Sequence, residues 1–473
     1  MNTSTSNRLP LEAGIWWEKA RSSLWLLPCA MLLAGVALFW LAQWVDTRRL
    51  PEELLSTGWL LSGTGGDARN LLSTLVTTII TMSSVVFSMT IVTLTLAASQ
   101  FGSRLVRSYL KDLRTRGALG MFLTTVLYCL LALRVVSEEM RAPEVPHVTV
   151  SVGLAMAMLC VIALLFFLNA VARSIIADEV VRRVARDLED SIACLPPRED
   201  GETRSLPRPR HLAAGRDGRL LRARREGYIQ AIDYEALAEA ATGADIELHL
   251  QVMPGDYMCR GGWLGMAWPP ERCPDEVVRA LRRCVLIGSV RTPVQDLRFS
   301  IRHLVDVALR ALSPGINDAN TALVVIDRLR GSMAELMGKS LPTGVFCDEA
   351  GRVRLVGERL SHAQLLDSAF HQIRESAAPH SAVVVALLHA FERLAEHADD
   401  AELRAALVEQ AELAARAFLE ERPRDRGQHE AVEERLAAVR TKVELVAQAL
   451  RHPGRVPAAA ERSGTQAAGV VGT

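Results

Sequence analysis

The chain has 473 residues, 49% of them hydrophobic, and a mean hydropathy just above zero. That is too apolar for an ordinary soluble protein and too polar for a pure membrane bundle, so one membrane block and one soluble block are expected. The 54 basic and 54 acidic residues cancel, which leaves no bulk field to attract nucleic acid.

Four stretches are apolar enough and long enough to cross a bilayer, which takes roughly 20 helical residues. They run over about 24–45, 71–99, 117–136 and 148–171. The first carries Trp40 and Trp44 at an interface and is too long for a cleaved signal peptide. Basic residues set the direction. Arg8, Lys19 and Arg21 precede span one, Arg104, Arg107, Lys111, Arg114 and Arg116 link spans two and three, and Arg173, Arg182, Arg183 and Arg186 follow span four. With four spans these three segments share a side, and the positive-inside rule makes that side, and both termini, cytoplasmic. The expectation is a multi-pass protein of a bacterial inner membrane.

Span two has no charge, yet its hydroxyls are ordered. At 100° per residue, Ser73, Thr77, Thr81, Ser84, Ser88, Thr95 and Ser99 fall on one face, interrupted there by Ile91. Leu75, Ile79, Met82, Val86 and Met89 lie opposite. Ser and Thr can bond back to the helix's own carbonyls, so the stripe costs little even in lipid. Two readings are open: close helix packing through small hydroxyl residues, or a water-filled path lined by this helix in a homo-oligomer. Directly after it, Arg104, Arg107, Lys111 and Arg114 form a basic face on an interfacial amphipathic segment. This collar reads as a topology and anionic-lipid anchor, or as the basic mouth of the path.

Past span four, Ile176, Val180, Val184, Leu188 and Ile192 recur every four residues, so a helix continues to about residue 195. Residues 196–219 are rich in Pro, Gly and charge and read as a linker. Residues 220–270 read as a small α/β module, with strands "GYIQAID" and "IELHLQV" around the helix "YEALAEAATGA" and turn signals at "MPGD" and Gly261-Gly262. Residues 271–452 read as helical, and 453–473 as a disordered tail. The fold class expected is therefore mainly α: a four-transmembrane-helix bundle plus a cytoplasmic domain made of the α/β module and a larger helical part.

Within the helical part, "SIRHLVDVALRAL" meets Ser313-Pro314-Gly315, which stops it, and Asn317 or Asp318 can cap the next helix. The stretch reads as a structural turn or an interface. His303, Asp306 and Arg310 share a face just upstream and can bond to that turn.

Signs of catalysis are few. There is no GxSxG, HExxH, Walker loop or dinucleotide fingerprint. "GTGGD" at 63–67 has no strand before it and reads as a turn. The eight cysteines lack metal spacing and read as free thiols. No enzyme activity, cofactor or metal is expected. Membrane lipids, further copies of the chain and a cytoplasmic protein are the partners anticipated, and nucleic acid is not.

"VFSMTIVTLTLAASQFGSRLVRSYLKD" and "DVALRALSPGINDANTALVVIDRL" together resemble domain-of-unknown-function family 2254, predicted bacterial membrane proteins, and "GYIQAIDYEALAEAA" and "MPGD" fit it between them. The resemblance spans roughly Trp25 to Leu394. Two positions depart from it: Ser103-Arg104 stands where members have Pro-Arg, and Ala319-Asn320 where they have Pro-Phe. The resemblance implies an architecture and no activity. Two functions stay in view, an oligomeric channel or conduit lined by span two, and a membrane-anchored scaffold or sensor.

Overall fold

A computed structural model describes residues 26–48, 64–101, 113–141, 144–174, 177–198, 217–342, 344–421 and 426–451. The chain divides into two compact units, Met1–Val180 and Val181–Thr473.

Four helices of the first unit are long and apolar enough to cross a membrane. They are α1 (Leu26–Thr47), α2 (Gly65–Phe101), α3 (Leu113–Val135) and α4 (His147–Ser174). Each lies within a few residues of its apolar run. The largest difference is at the start of α2, six residues ahead of the run. Thr64 and Asp67 cap it reciprocally: the Thr64 amide and hydroxyl donate to Asp67 Oδ2 at 3.0 and 2.7 Å. A polar first turn is stable when its free amides are met this way. "GTGGD" is thus a helix start, and its Gly65 is required, since a Cβ there would lie 2.2 Å from the Ser137 carbonyl oxygen. At 37 residues, α2 rises about 55 Å, well beyond a hydrocarbon core of roughly 30 Å.

Helices α3 and α4 pack against one another, and α1 and α2 both lie against this pair. Phe122, Tyr128, Cys129 and Ala132 of α3 are fully buried. Close approach of α1 and α3 depends on two glycines. A Cβ on Gly35 would sit 2.3 Å from Thr124 Cγ2, and one on Gly120 2.5 Å from Met31 Sδ. Small residues of this kind let helices meet where lipid supplies no hydrophobic drive. At one end of the bundle Asp46 of α1 caps α4, accepting from the amides of Val148 (3.0 Å) and Thr149 (2.9 Å) and from Thr149 Oγ1 (2.6 Å). The buried Tyr128 hydroxyl donates to the Thr149 carbonyl at 3.0 Å.

The second unit takes in most of α5 (Ala177–Ala193), where Val184, Leu188 and Ile192 of the four-residue series are buried, Val180 is half-buried with its neighbour Val181 buried instead, and Ile176 lies outside the described residues. Residues 199–216, most of the anticipated linker, lie outside the described residues. Just before them, Arg198 and Ser340 exchange backbone bonds with Gly338 and Pro196.

Eight short strands follow in two sheets. β1 (Arg219–Arg222), β5 (Trp263–Trp268), β3 (Glu247–Leu250), β8 (Val353–Val356) and β7 (Val345–Cys347) form one, in that order. β4 (Tyr257–Met258), β2 (Gly227–Ile232) and β6 (Val285–Gly288) form the other. Helices α6 (Tyr234–Gly243) and α7 (Asp275–Arg283) join them over a core that includes Leu221, Ile229, Leu237, Leu248, Leu264, Leu281 and Leu355.

The stretch read as purely helical therefore donates three strands. β8 pairs in parallel with β3, Leu248 opposite Leu355, a contact across a hundred residues that no local pattern encodes. The β7–β8 hairpin was not anticipated either, although "VFCDEAGRVRLV" holds its turn signal in Asp348 and Gly351. Asp348 closes its turn by accepting from the amides of Ala350 and Arg352, and Gly351 adopts φ +75°. These backbone bonds, with the Arg354 and Arg352 guanidiniums, hold the Asp348 carboxyl down at about 2.

The helices α8 (Leu297–Ala311), α9 (Ala319–Met337), α10 (His362–Ala377), α11 (Ser381–Leu394), α12 (Ala401–Glu421) and α13 (Arg426–Arg451) pack largely on the next helix but one, α8 on α10, α9 on α11, α10 on α12 and α11 on α13. Gly255 of MPGD (φ +94°) fits against the start of α8, where a Cβ would meet Asp296 Oδ2 at 2.0 Å. Asp296 caps α8 through the Phe299 amide and is held by Arg291 at 2.6 Å. Burial raises its carboxyl pKa, with Arg291 opposing.

Candidate functional site

The hydroxyl face of α2 is where the structure adds most. Ser73, Thr77, Thr81, Ser84, Ser88 and Thr95 are all exposed. The opposite side carries the packing: Leu72, Val76, Ile79, Ser83, Val86 and Thr93 are buried. In-chain packing therefore does not use the stripe, because α3 and α4 meet α2 on its other side.

Back-bonding occurs along the stripe as expected. Thr77 donates to the Ser73 carbonyl at 3.0 Å, Thr81 to Thr77 at 3.0 Å, Ser84 to Ile80 at 3.0 Å and Thr95 to Ile91 at 2.9 Å. Each such hydroxyl has its donor satisfied within the helix and leaves oxygen lone pairs facing outward. The face is thus neutral, acceptor-rich and free of charge. Ile91 interrupts it and is 63% exposed.

The Ser99 side chain lies outside the described residues. So do Arg104, Arg107 and Lys111 of the collar, and the side chain of Arg114, whose backbone lies in the first turn of α3. Arg116, two residues further on, is buried at 4%.

The SPGIND stretch is a structural turn. Ser313 Oγ donates to the Arg310 carbonyl at 2.6 Å, and the Asn317 amide donates to the Ser313 carbonyl at 2.9 Å. Asn317 sits at φ +51°, a region tolerated by Asn. Asp318, rather than Asn317, is the cap: its side chain accepts from the Thr321 amide at 3.1 Å and hydroxyl at 2.6 Å. Pro314 and Gly315 are exposed.

His362, at the start of α10, is half-buried. Its Nε2 lies 3.1 Å from the Leu336 carbonyl and 3.2 Å from that of Lys339 at the end of α9, and burial lowers its pKa. Sequence reasoning missed the Asp46–Thr149 cap. Its signal was an acidic residue closing span one and a Thr opening span four, at ends that four spans place together.

Four apolar helices with an appended α/β and helical unit define a polytopic membrane protein. The chain belongs to the family of predicted membrane proteins DUF2254, whose sequence model matches residues 21–393. It is 34% identical over 364 residues to an uncharacterised protein of Mycobacterium bovis, covering 76% of this chain and 69% of that one. An uncharacterised protein of Mycobacterium tuberculosis is similar to the same extent, 34% over 364 residues, with 76% and 69% covered. No solved structure matches the chain.

Proposed function

We propose that the protein is an oligomeric conduit of a bacterial inner membrane, with α2 of each copy lining a hydrated path. The carrying observation is the exposure of Ser73, Thr77, Thr81, Ser84, Ser88 and Thr95 on a face that the chain's own helices leave open. A row of neutral hydroxyls suits ion passage, because pore selectivity and hydration follow the lining groups. The basic segments flanking the spans support an orientation with both termini in the cytoplasm, and Arg104, Arg107, Lys111 and Arg114 would then ring the inner mouth.

The test is thiol accessibility in a chain freed of Cys29, Cys129 and Cys160. Ser84→Cys and Ser88→Cys are expected to react with a small charged reagent. Val86→Cys, in the core at 0% exposure, and Ile162→Cys, on the apolar outer side of α4, are expected to resist it. Equal protection at all four positions in an intact oligomer would overturn the conduit.

A second reading, a membrane-anchored scaffold or sensor for a cytoplasmic protein, is favoured by the size of the unit Val181–Thr473, which builds its own core. Under it, α2 hydroxyls join copies through dry contacts, and Ser84→Leu weakens assembly without altering ion flux.

A further inference from the structure

The second unit holds two turns side by side. One, at 223–226, joins β1 to β2, and the other, at 259–262, joins β4 to β5. Backbone bonds clasp them together. The Ala223 amide donates to the Gly262 carbonyl at 2.9 Å, and the Gly261 amide to the Ala223 carbonyl at 2.8 Å. The Arg222 guanidinium donates to the Gly261 carbonyl at 3.1 Å and stands 6.0 Å from the centre of the Trp263 ring. Beyond the clasp Gly227 pairs with Met258, and the Tyr257 ring meets that of Tyr228 edge-on at 5.0 Å. The second turn opens to solvent, since a Cβ on Gly261 would meet nothing within 4 Å.

The side chains of this double turn are of two kinds. Arg222, Arg224, Arg225 and Arg260 are exposed and have no acidic partner among the described residues. Glu226 is the one carboxylate within 222–226 and 257–263, so four positive charges meet one negative. The nearest further carboxylate, Asp256, is turned to the Met253 amide at 2.9 Å. Between the arginines stand two large rings that the core does not take in: Tyr257 is 56% and Trp263 52% exposed. Neither kind serves the fold of the unit. Like charge gathered on a surface opposes folding, and an exposed indole leaves apolar area in water.

We propose that this double turn docks on an anionic phospholipid surface. Guanidiniums spread over two turns match laterally mobile lipid phosphates, each of which accepts a forked donor. Trp and Tyr favour the headgroup layer, where the ring is apolar and its one polar atom stays wet. An acidic polymer would satisfy the arginines and leave the rings without a host. A chain tethered to a bilayer meets that surface at high effective concentration, so a contact of modest strength suffices. The surface involves neither α2 nor its hydroxyls, and its test is independent of the conduit.

The test uses the full chain in nanodiscs, with the accessible Cys29, Cys194, Cys284 and Cys347 replaced by Ser and a spin label on Cys259, the exposed cysteine of the second turn. A companion chain keeps Cys347 in place of Cys259. Cys347 lies on β7, at the opposite edge of the five-stranded sheet from β1. Doping phosphatidylcholine discs with phosphatidylglycerol should shield the Cys259 label from a water-soluble nickel chelate about fivefold or more, the worth of a single arginine near an anionic surface. The Cys347 label should not respond. High salt should reverse the shielding, and Arg225→Gln with Arg260→Gln should remove it while leaving the unfolding midpoint unchanged, as both side chains are exposed. Trp263→Ser should weaken it at constant charge, an effect that bulk electrostatic attraction alone would not produce. Equal accessibility of Cys259 in the two discs, or shielding that survives the loss of Arg225 and Arg260, overturns the proposal. Shielding by added polyglutamate in place of phosphatidylglycerol would overturn it in favour of an acidic protein partner.

Discussion

Helices α2 and α4 belong to the same bundle, and both turn one face away from it, yet the two faces differ in chemistry. That of α4 presents Met158, Leu159, Val161, Ile162, Leu165 and Phe166 without a hydroxyl. That of α2 presents a hydroxyl at nearly every turn from Ser73 to Thr95, broken at Ile91 and flanked by the exposed Ile80, Val85, Phe87 and Val92. Lipid tails reward the first surface. They do not reward the second, because a back-bonded hydroxyl is tolerated in hydrocarbon but gains nothing there. The contrast is what makes α2 a candidate for contact with water or with another copy, and α4 a candidate for contact with lipid.

The largest effect expected is inside the bundle. Gly120→Leu should cost about 3 kcal/mol by overpacking, since even a Cβ would come within 2.5 Å of Met31 Sδ. Ser84→Leu should change the stability of the single chain by no more than about 0.5 kcal/mol, as exposed substitutions do. Unfolding titrations in detergent compare the two, and equal losses would mean that the α2 face is buried after all.

Of the same order is the cost of a charge. Ile162→Arg near the middle of α4 should disfavour insertion by about 2.5–3.5 kcal/mol. Ser84→Arg should cost markedly less if its face is hydrated. An insertion assay that found the same cost for both would remove the distinction between the faces.

Smaller still are the caps, which also differ. Asp46 of α1 caps α4 from another helix, whereas Asp67 caps its own α2. Each removal, Asp46→Ala or Asp67→Ala, should cost about 1 kcal/mol. Hydrogen exchange should show Asp46→Ala loosening both α1 and the start of α4, while Asp67→Ala frays only the first turn of α2. The last comparison separates the two units. Asp348 is held down at about 2 in the folded state, so its contribution is present above an unfolded value of about 3.9 and lost as pH falls through 2. Asp348→Asn should flatten that acid dependence of the second unit and leave the bundle's hydroxyl face, which has nothing to titrate, unaffected.

Much of this architecture is legible along the chain. The four spans come from length and hydropathy, α5 from its four-residue spacing, and the SPGIND turn from Pro, Gly and a capping Asp. These are local signals, each written within one or two turns of the element it specifies. The strands β6, β7 and β8 were missed because they are only three or four residues long, and β8 is fixed by Leu355 against Leu248, far away in sequence.

The sequence by itself determined that α2 has a hydroxyl stripe and an apolar back, since a helix turning 100° per residue sorts its residues without help. It could not determine which of the two the bundle would bury. Packing of small hydroxyls and packing of Leu, Val and Ile are both workable between helices in lipid, where no hydrophobic drive chooses between them. Tertiary structure made the choice. The glycines at Gly35 and Gly120 supply the close contact between α1 and α3, α3 and α4 take the apolar back of α2, and the hydroxyls are left facing outward.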